Sequence, residues 1–344
     1  MAAHPHSQDG PSDPLRNRHF VCSNRCFAHM GEQPGLCLFF RNPTSLNLLV
    51  SPFAYVQVTE MTFEYTNCDT VQPSQSLTSL TLVDVPKYSY QLRAADSKAQ
   101  YNSPQYAFIQ NSSASLRSQS QCVIQFEVPS DLKPSILLYY KLTNFYQNHR
   151  RYVNSLDADQ LKGKYRTSGD LKNSNCKPVA VDGDKVIYPC GLIANSLFNG
   201  NHNLSSRMVV DDTYATSDTF SGLTLLNPAA GASSEYTMSE SGIAWPGEAK
   251  KYVAQPNYQL SEIVPPPNWR ARYPDGYTES NPPPNLKEDE HFQNWMRTAG
   301  LPTFTKLYSR NDQDTLLKGK YQIVIDMSAL HRKSFVDSSH SYAA

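Results

Sequence analysis

The sequence lacks any excess of charge: Lys and Arg number 31, and so do Asp and Glu. That balance argues against a nucleic-acid binder, which concentrates positive charge on one face, and against a polybasic membrane-surface protein. No CxxC pair occurs among Cys22, Cys26, Cys37, Cys68, Cys122, Cys176 and Cys190, so neither a zinc ribbon nor a thioredoxin-type site is indicated. No GxSxG elbow, HExxH helix or Walker loop is present. The histidines are isolated: His149, His202 and His291 each lack a second ligand one helical turn away, so no metal and no cofactor is expected. The N-terminus has no apolar stretch of the secretory kind. The nearest approach to a membrane span, LNLLVSPFAYVQV at 46–58, is too short and is interrupted by Asn47, Ser51, Pro52 and Gln57, whereas a spanning helix needs about 20 apolar residues.

What is present favours extended chain. Tyr (21) and Pro (24) are abundant and Gly (15) is modest, a composition of strands and ordered loops rather than of a helical bundle. Residues 1–57 show no sustained period and read as disordered or loosely attached. Beyond them, period-two alternation or short apolar runs predict strands over 58–66, 122–128, 135–142, 185–194 and 320–327. Three- and four-residue spacing of Leu142, Phe145, His149, Tyr152 and Val153 predicts a helix, started by Thr143 or Asn144, with His149 on its apolar face. A second helix is expected in NLKEDEHFQNWMRTAGLP, with Phe292, Trp295, Met296 and Ala299 on one face. Asn285 and Glu288 stand at capping-box spacing, and Gly300 and Pro302 follow as stops. The two triple-proline runs around Trp269 and Tyr273 read either as a swapped-in linker or, favoured because those aromatics offer packing groups, as a proline-fixed loop on the surface of the same domain. The odd cysteine count leaves at least one thiol unpaired within a monomer, and N-glycosylation patterns at Asn111 and Asn203, with separated cysteines in a loop-rich chain, lean toward an extracytoplasmic fold.

The run LTNFYQNHRRYVNS poses the functional question directly. On a helix His149, Arg150 and Arg151 point in three directions and cannot form one basic patch. His149 there is a hydrogen-bonded core histidine before it is a catalytic base. Tyr139, Tyr140, Phe145, Tyr146 and Tyr152 are core or rim aromatics before they are a ligand cage.

Four stretches in order, YYKLTNFYQNHRRYVNSLDADQLKGK (139–164), PCGLIANSLFN (189–199), GIAWP (242–246) and WMRTAGLPTFTKLY (295–308), closely resemble the cell-division-control-protein-50 / ligand-effect-modulator family. These are accessory β-subunits of type IV P-type ATPases that flip phospholipids. The resemblance implies a mainly β fold: a glycosylated antiparallel β-sandwich ectodomain with short helices and long proline-rich loops, flanked in the family by two transmembrane helices. It implies no reaction of the subunit's own. The partner is the ATPase catalytic subunit, whose export from the endoplasmic reticulum and lipid flipping the subunit supports. Its place is the luminal or exoplasmic face of endoplasmic reticulum, Golgi or plasma membrane, reached through the partner or through transmembrane helices. The resemblance further implies disulfides Cys176–Cys190 and Cys68–Cys122 and an acceptor at Asn203, since Asn199 lies outside a sequon. It assigns a structural or partner-facing role to Asn144, Phe145, Tyr146, Gln147, Asn148, His149, Arg150, Arg151, Tyr152, Trp295 and Arg297. Domains follow as 1–57 divergent, 58–327 ectodomain and 328–344 divergent tail. The departures before 58 and after 327 lead us to expect a truncated, mis-spliced or misassembled reading frame. A soluble luminal or secreted β-sandwich glycoprotein with other partners is the alternative.

Overall fold

Alternation becomes burial from residue 58 onward: Met61 and Phe63 are fully buried on a strand whose neighbours along the chain are polar. The computed structural model describes residues 18–24, 58–110, 120–197, 220–226, 234–270 and 272–327. Asn111, Asn203 and the 328–344 tail lie outside them. In chain order the strands are β1 (Arg18–Asn24), β2 (Thr59–Glu64), β3 (Val83–Asp84), β4 (Tyr88–Gln91), β5 (Gln105–Gln110), β6 (Ser120–Val128), β7 (Ile136–Leu142), β8 (Val181–Asp182), β9 (Lys185–Ile187), β10 (Phe220–Leu226), β11 (Ser234–Tyr236), β12 (Ile263–Val264), β13 (Phe304–Asn311) and β14 (Gly319–Asp326). The short helices are α1 (Arg150–Val153), α2 (Ala158–Leu161), α3 (Ser168–Lys172), α4 (Leu192–Asn195) and α5 (Glu290–Met296).

The fold is mainly β. One sheet runs β13-β7-β1-β2-β4 and a second runs β11-β10-β14-β6-β5-β3, both antiparallel throughout. Their inner faces share one core. Met61, Phe63, Ile136 and Leu138 of the first sheet meet Ile124, Phe126, Leu223, Tyr321, Ile323 and Ile325 of the second. Phe63 and Phe126 bring ring centroids to 4.8 Å across the interface. Fully burying side chains of this size contributes about 1.5–3 kcal/mol each. The disulfide Cys68–Cys122 joins the turn after β2 to β6, and so ties the two sheets together.

Strand β7 serves two cores. Ile136 and Leu138 belong to the sandwich, whereas Tyr140 and Leu142 pack into a second cluster built from loops and short helices. That lobe spans 143–197 and the 240–303 region, and carries the small sheet β12-β9-β8. Cys176–Cys190 closes it. Trp269, Tyr273 and Tyr277, from between the triple-proline runs, are buried in its centre. The proline-rich segment therefore fills a core rather than merely lying on the surface.

Several sequence expectations are corrected here. Residues 18–24, expected to be irregular, form β1 between β2 and β7, with Phe20 in register with Phe63 and Tyr140. Seven residues among polar neighbours are too short for their period to stand out. The strand expected over 185–194 ends at Ile187. Pro189 has no amide proton to donate, Gly191 takes φ +103°, and α4 begins at Leu192. The helix expected from 142 shrinks to Arg150–Val153. Asn144 adopts a left-handed φ of 59°, and Phe145 donates its amide to the Pro302 carbonyl at 3.1 Å instead of to its own turn. His149, expected on an apolar face, is exposed just before α1. The later helix starts at Glu290, capped by Asp289, whose carboxylate accepts from the Phe292 amide at 2.8 Å. Asn285 and Glu288 form no capping box for it. The Gln293 side-chain amide claims the Leu286 and Lys287 carbonyls and holds that turn apart. The helix ends at Met296, ahead of the expected stops, where Arg297 leaves helical geometry at ψ 92°.

Candidate functional site

Three loops of the second lobe interlock beside Trp295. The loop 143–149 is stitched to 299–302: the Gln147 side-chain oxygen accepts from the Ala299 amide at 2.9 Å, and the Asn148 side chain donates to the Gly300 carbonyl at 3.1 Å. Gln147 is fully buried, so this polar contact is made away from water, where breaking it is costly. Phe145 sends its ring inward against Trp295, with centroids 5.6 Å apart in an edge-on arrangement. Trp295 is itself fully buried and donates its indole N–H to the Ile193 carbonyl at 2.8 Å, linking α5 to α4. Tyr152 completes the wall, its hydroxyl 2.7 Å from Ser196 Oγ and its ionisation pushed up by burial.

The third loop is GIAWP. Glu290 accepts from three consecutive amides, those of Gly242 (3.1 Å), Ile243 (2.7 Å) and Ala244 (2.9 Å). This carboxylate folds the loop around itself and presents Trp245, 59% exposed, to solvent. The Arg297 guanidinium lies 4.2 Å from the Trp245 ring centre. The same guanidinium stands 3.5 Å from the buried Glu248 carboxylate. Lys306 supports Arg297 from below: its ammonium donates to the Asn294 carbonyl at 2.7 Å and to the Arg297 carbonyl. Burial, reinforced by the nearby guanidinium, pushes that ammonium down to about 8.

The outcome is a ledge. Tyr146 and Leu301, 59% and 70% exposed, stand along it with Trp245 and Arg297. Asn144, Asn148, His149, Arg150 and Arg151 are exposed nearby, while Phe145, Gln147 and Trp295 are buried beneath. The His149 imidazole makes no hydrogen bond to the described residues, and among them no three His, Cys, Asp or Glu side chains converge as a metal site requires. The arrangement can recognise a surface through aromatic faces and a guanidinium. Reading the sequence singled out Trp295 and Arg297 but missed Glu290, Glu248 and Lys306, which position them. Trp245 lies within the GIAWP stretch, whose pattern does not set it apart. A tryptophan directly before Pro246 and three residues after Gly242 is the signal that the sequence offers.

Removing the carboxylate that organises the loop tests this construction. Glu290→Ala is expected to cost about 2–3 kcal/mol, because charge-assisted bonds to the Ile243 and Ala244 amides are lost in a partly buried setting. Trp245 fluorescence should become more accessible to acrylamide as Arg297 loses its partner. Unchanged quenching and an unchanged denaturation midpoint would show that the loop holds its shape without Glu290.

Among the described residues no helix is long and apolar enough to cross a membrane. A family model described as LEM3 (ligand-effect modulator 3) family / CDC50 family matches residues 52–334. The chain is 45% identical over 210 residues to the phospholipid-transporting ATPase accessory subunit CDC50 of Chaetomium thermophilum, an alignment covering 60% of this chain and 47% of that protein. It is 38% identical over 310 residues to the accessory subunit CRF1 of Saccharomyces cerevisiae, covering 89% of this chain and 69% of that one. With the accessory subunit LEM3 of the same yeast it shares 37% identity over 276 residues, 79% of this chain and 60% of the relative. It thus spans between 47% and 69% of the length of these curated relatives. A family model that matches 52–334 of the 344 residues shows that the chain belongs to the LEM3/CDC50 family.

Proposed function

We propose that the chain is a non-catalytic accessory subunit of a phospholipid-translocating type IV P-type ATPase, supporting export of the pump from the endoplasmic reticulum and its lipid flipping. The observation that carries this reading is the family match together with relatives named as accessory subunits of phospholipid-transporting ATPases. In this reading residues 58–327, together with the strand Arg18–Asn24 that pairs between β2 and β7, are the ectodomain, on the luminal or exoplasmic face of endoplasmic reticulum, Golgi or plasma membrane. The rest of 1–57 and the segment 328–344 diverge from it. Asn111 and Asn203 carry glycans, the two disulfides hold the docking face in shape, and Asn144 to Tyr152, Trp295 and Arg297 build or present that face. ATP hydrolysis and lipid movement belong to the partner. The ledge supports the reading because solvent-facing aromatic and guanidinium groups on a buried frame suit protein contact.

Co-expression of the tagged chain with a type IV P-type ATPase, followed by detergent extraction and affinity purification, tests it. The pump is expected to co-purify, and Trp245→Ala combined with Arg297→Ala to reduce its recovery at least several-fold. Recovery of the chain as a free glycosylated monomer in the medium, with no pump bound, would favour the alternative of a secreted glycoprotein.

A further inference from the structure

The outer face of the second sheet carries a cavity of about 400 Å³ that the ledge does not involve. It is lined by Asp84, Asn102, Ser103, Gln105, Gln125, Phe126, Glu127 and Lys320. The strand period places them there. On β6, Cys122, Ile124 and Phe126 enter the core, so Gln125 and Glu127 face outward. The ladder then sets Gln105 opposite Gln125 and Lys320 opposite Glu127. Asn102 closes one side, its backbone and side-chain amides both donating to the Glu127 carboxylate at 2.9 and 2.6 Å.

Much of the lining is held in place by its own contacts. The Gln105 amide donates to Asp84 at 3.1 Å, and the Gln125 amide to the Gln322 oxygen at 2.9 Å. These bonds fix the side chains while leaving the amide oxygens of both glutamines and one Asp84 oxygen to accept. The Lys320 ammonium has no carboxylate within ion-pair distance among the described residues, and so remains a donor. The Ser103 hydroxyl is 3.2 Å from that of Tyr88. Tyr88 belongs to an aromatic cluster beside the cavity, in which Tyr90 and Tyr101 stack with ring centres 3.9 Å apart. Tyr88 and Tyr101 are both exposed.

The ligand chemistry follows from this mixture. A phosphate would meet the Asp84 and Glu127 carboxylates, and a divalent cation finds no converging set of acidic ligands among the described residues. Groups that both donate and accept match amides, a carboxylate and an ammonium placed side by side. A pyranose ring adds an apolar face that suits the exposed Tyr88 ring, which meets the lining at Ser103. The volume lies within the range of small-ligand sites, roughly 300–1,000 Å³. The geometry points to a saccharide-binding site that takes a neutral mono- or disaccharide.

Saturation-transfer difference NMR on the full chain, with mannose, mannobiose and N-acetylglucosamine as probes, tests this. Transfer to ring protons of at least one sugar is expected. Asp84→Ala and Lys320→Ala, both away from the core, should each weaken that binding about tenfold, the scale of one hydrogen bond to a charged group. Absence of transfer from all three sugars at about 10 mM, where even feeble sites are occupied, would overturn the assignment. So would transfer unchanged in both variants, or displacement of the sugar by inorganic phosphate, which would mark an anion site.

Discussion

Replacing Gly191 with alanine is expected to lower the unfolding free energy by about 4 kcal/mol or more, a loss seen only when a substitution breaks a specific structural constraint. Gly191 holds φ at +103°, and a Cβ there would stand 2.0 Å from the Ser155 carbonyl oxygen and 2.7 Å from the carbon bearing it. Both obstructing atoms are backbone, so no rotamer change relieves the overlap. The surroundings cannot give way cheaply. The Gly191 amide donates to the Val179 carbonyl at 2.8 Å. The Leu192 amide donates to the Ser155 hydroxyl at 2.8 Å. Gln160, fully enclosed, bridges the Ile187 carbonyl and the Cys190 amide. Moving 155–156 aside would break this buried set together, at about 1–3 kcal/mol for each polar group left unpaired. Gly183 provides the control. Its φ is +60°, but nothing lies within 4 Å of the position a Cβ would take. Gly183→Ala should therefore cost only the left-handed backbone penalty, roughly 1–2 kcal/mol. Urea denaturation of the two variants side by side decides the matter. Equal midpoints would show that the 155–156 chain yields.

What the sequence made legible was set by how far each segment obeys one period. Cys122–Val128 alternates between core and outer face, and its strand is found at Ser120–Val128. The run ending in Asp326 behaves in the same way. By contrast β13 shows no core period in the sequence, because its buried residues are the polar Lys306, Ser309 and Asn311. Each is buried with a partner supplied by another segment: Lys306 by the Asn294 and Arg297 carbonyls, Asn311 by the Thr237 carbonyl, and Ser309 by the Met238 sulfur. The helix expected from Leu142 fails for a related reason. Phe145 and Tyr152 do meet, at 5.9 Å, but through a loop bonded to 299–302 rather than along a helical face. The spacing was real and its cause was tertiary. Likewise the aromatics of the ledge were visible as residue types, while the carboxylate of Glu290 acquires meaning only when three amides from 46–48 residues away fold onto it.

Removing the bridge between the two sheets should have an effect comparable with that of Gly191→Ala. The double variant Cys68→Ala, Cys122→Ala opens a loop of 54 residues, for which the chain-entropy relation gives about 4 kcal/mol. Opening the 14-residue loop of Cys176–Cys190 gives about 3 kcal/mol by the same relation. Paired alanines are the proper probe, since a single substitution would leave an unpaired thiol in the sandwich core, where Cys68 and Cys122 are both fully buried. Packing adds to the difference. Cys122 stands between Phe108 and Ile325 in the second sheet, so its sulfur occupies space among tightly packed neighbours. Chemical denaturation of the two double variants under oxidising conditions should place the Cys68 and Cys122 pair below the Cys176 and Cys190 pair, and both below the parent. A reversed order would mean that strain or packing, not chain entropy, governs these bridges. Together the two contributions approach the whole stability of an ordinary domain, about 5–15 kcal/mol. The same chain folded with its thiols kept reduced is therefore expected to yield mostly unfolded protein, and to recover native resistance to protease when the thiols are oxidised. Protease resistance that is equal in the reduced and oxidised states would show that the fold stands without its two bridges.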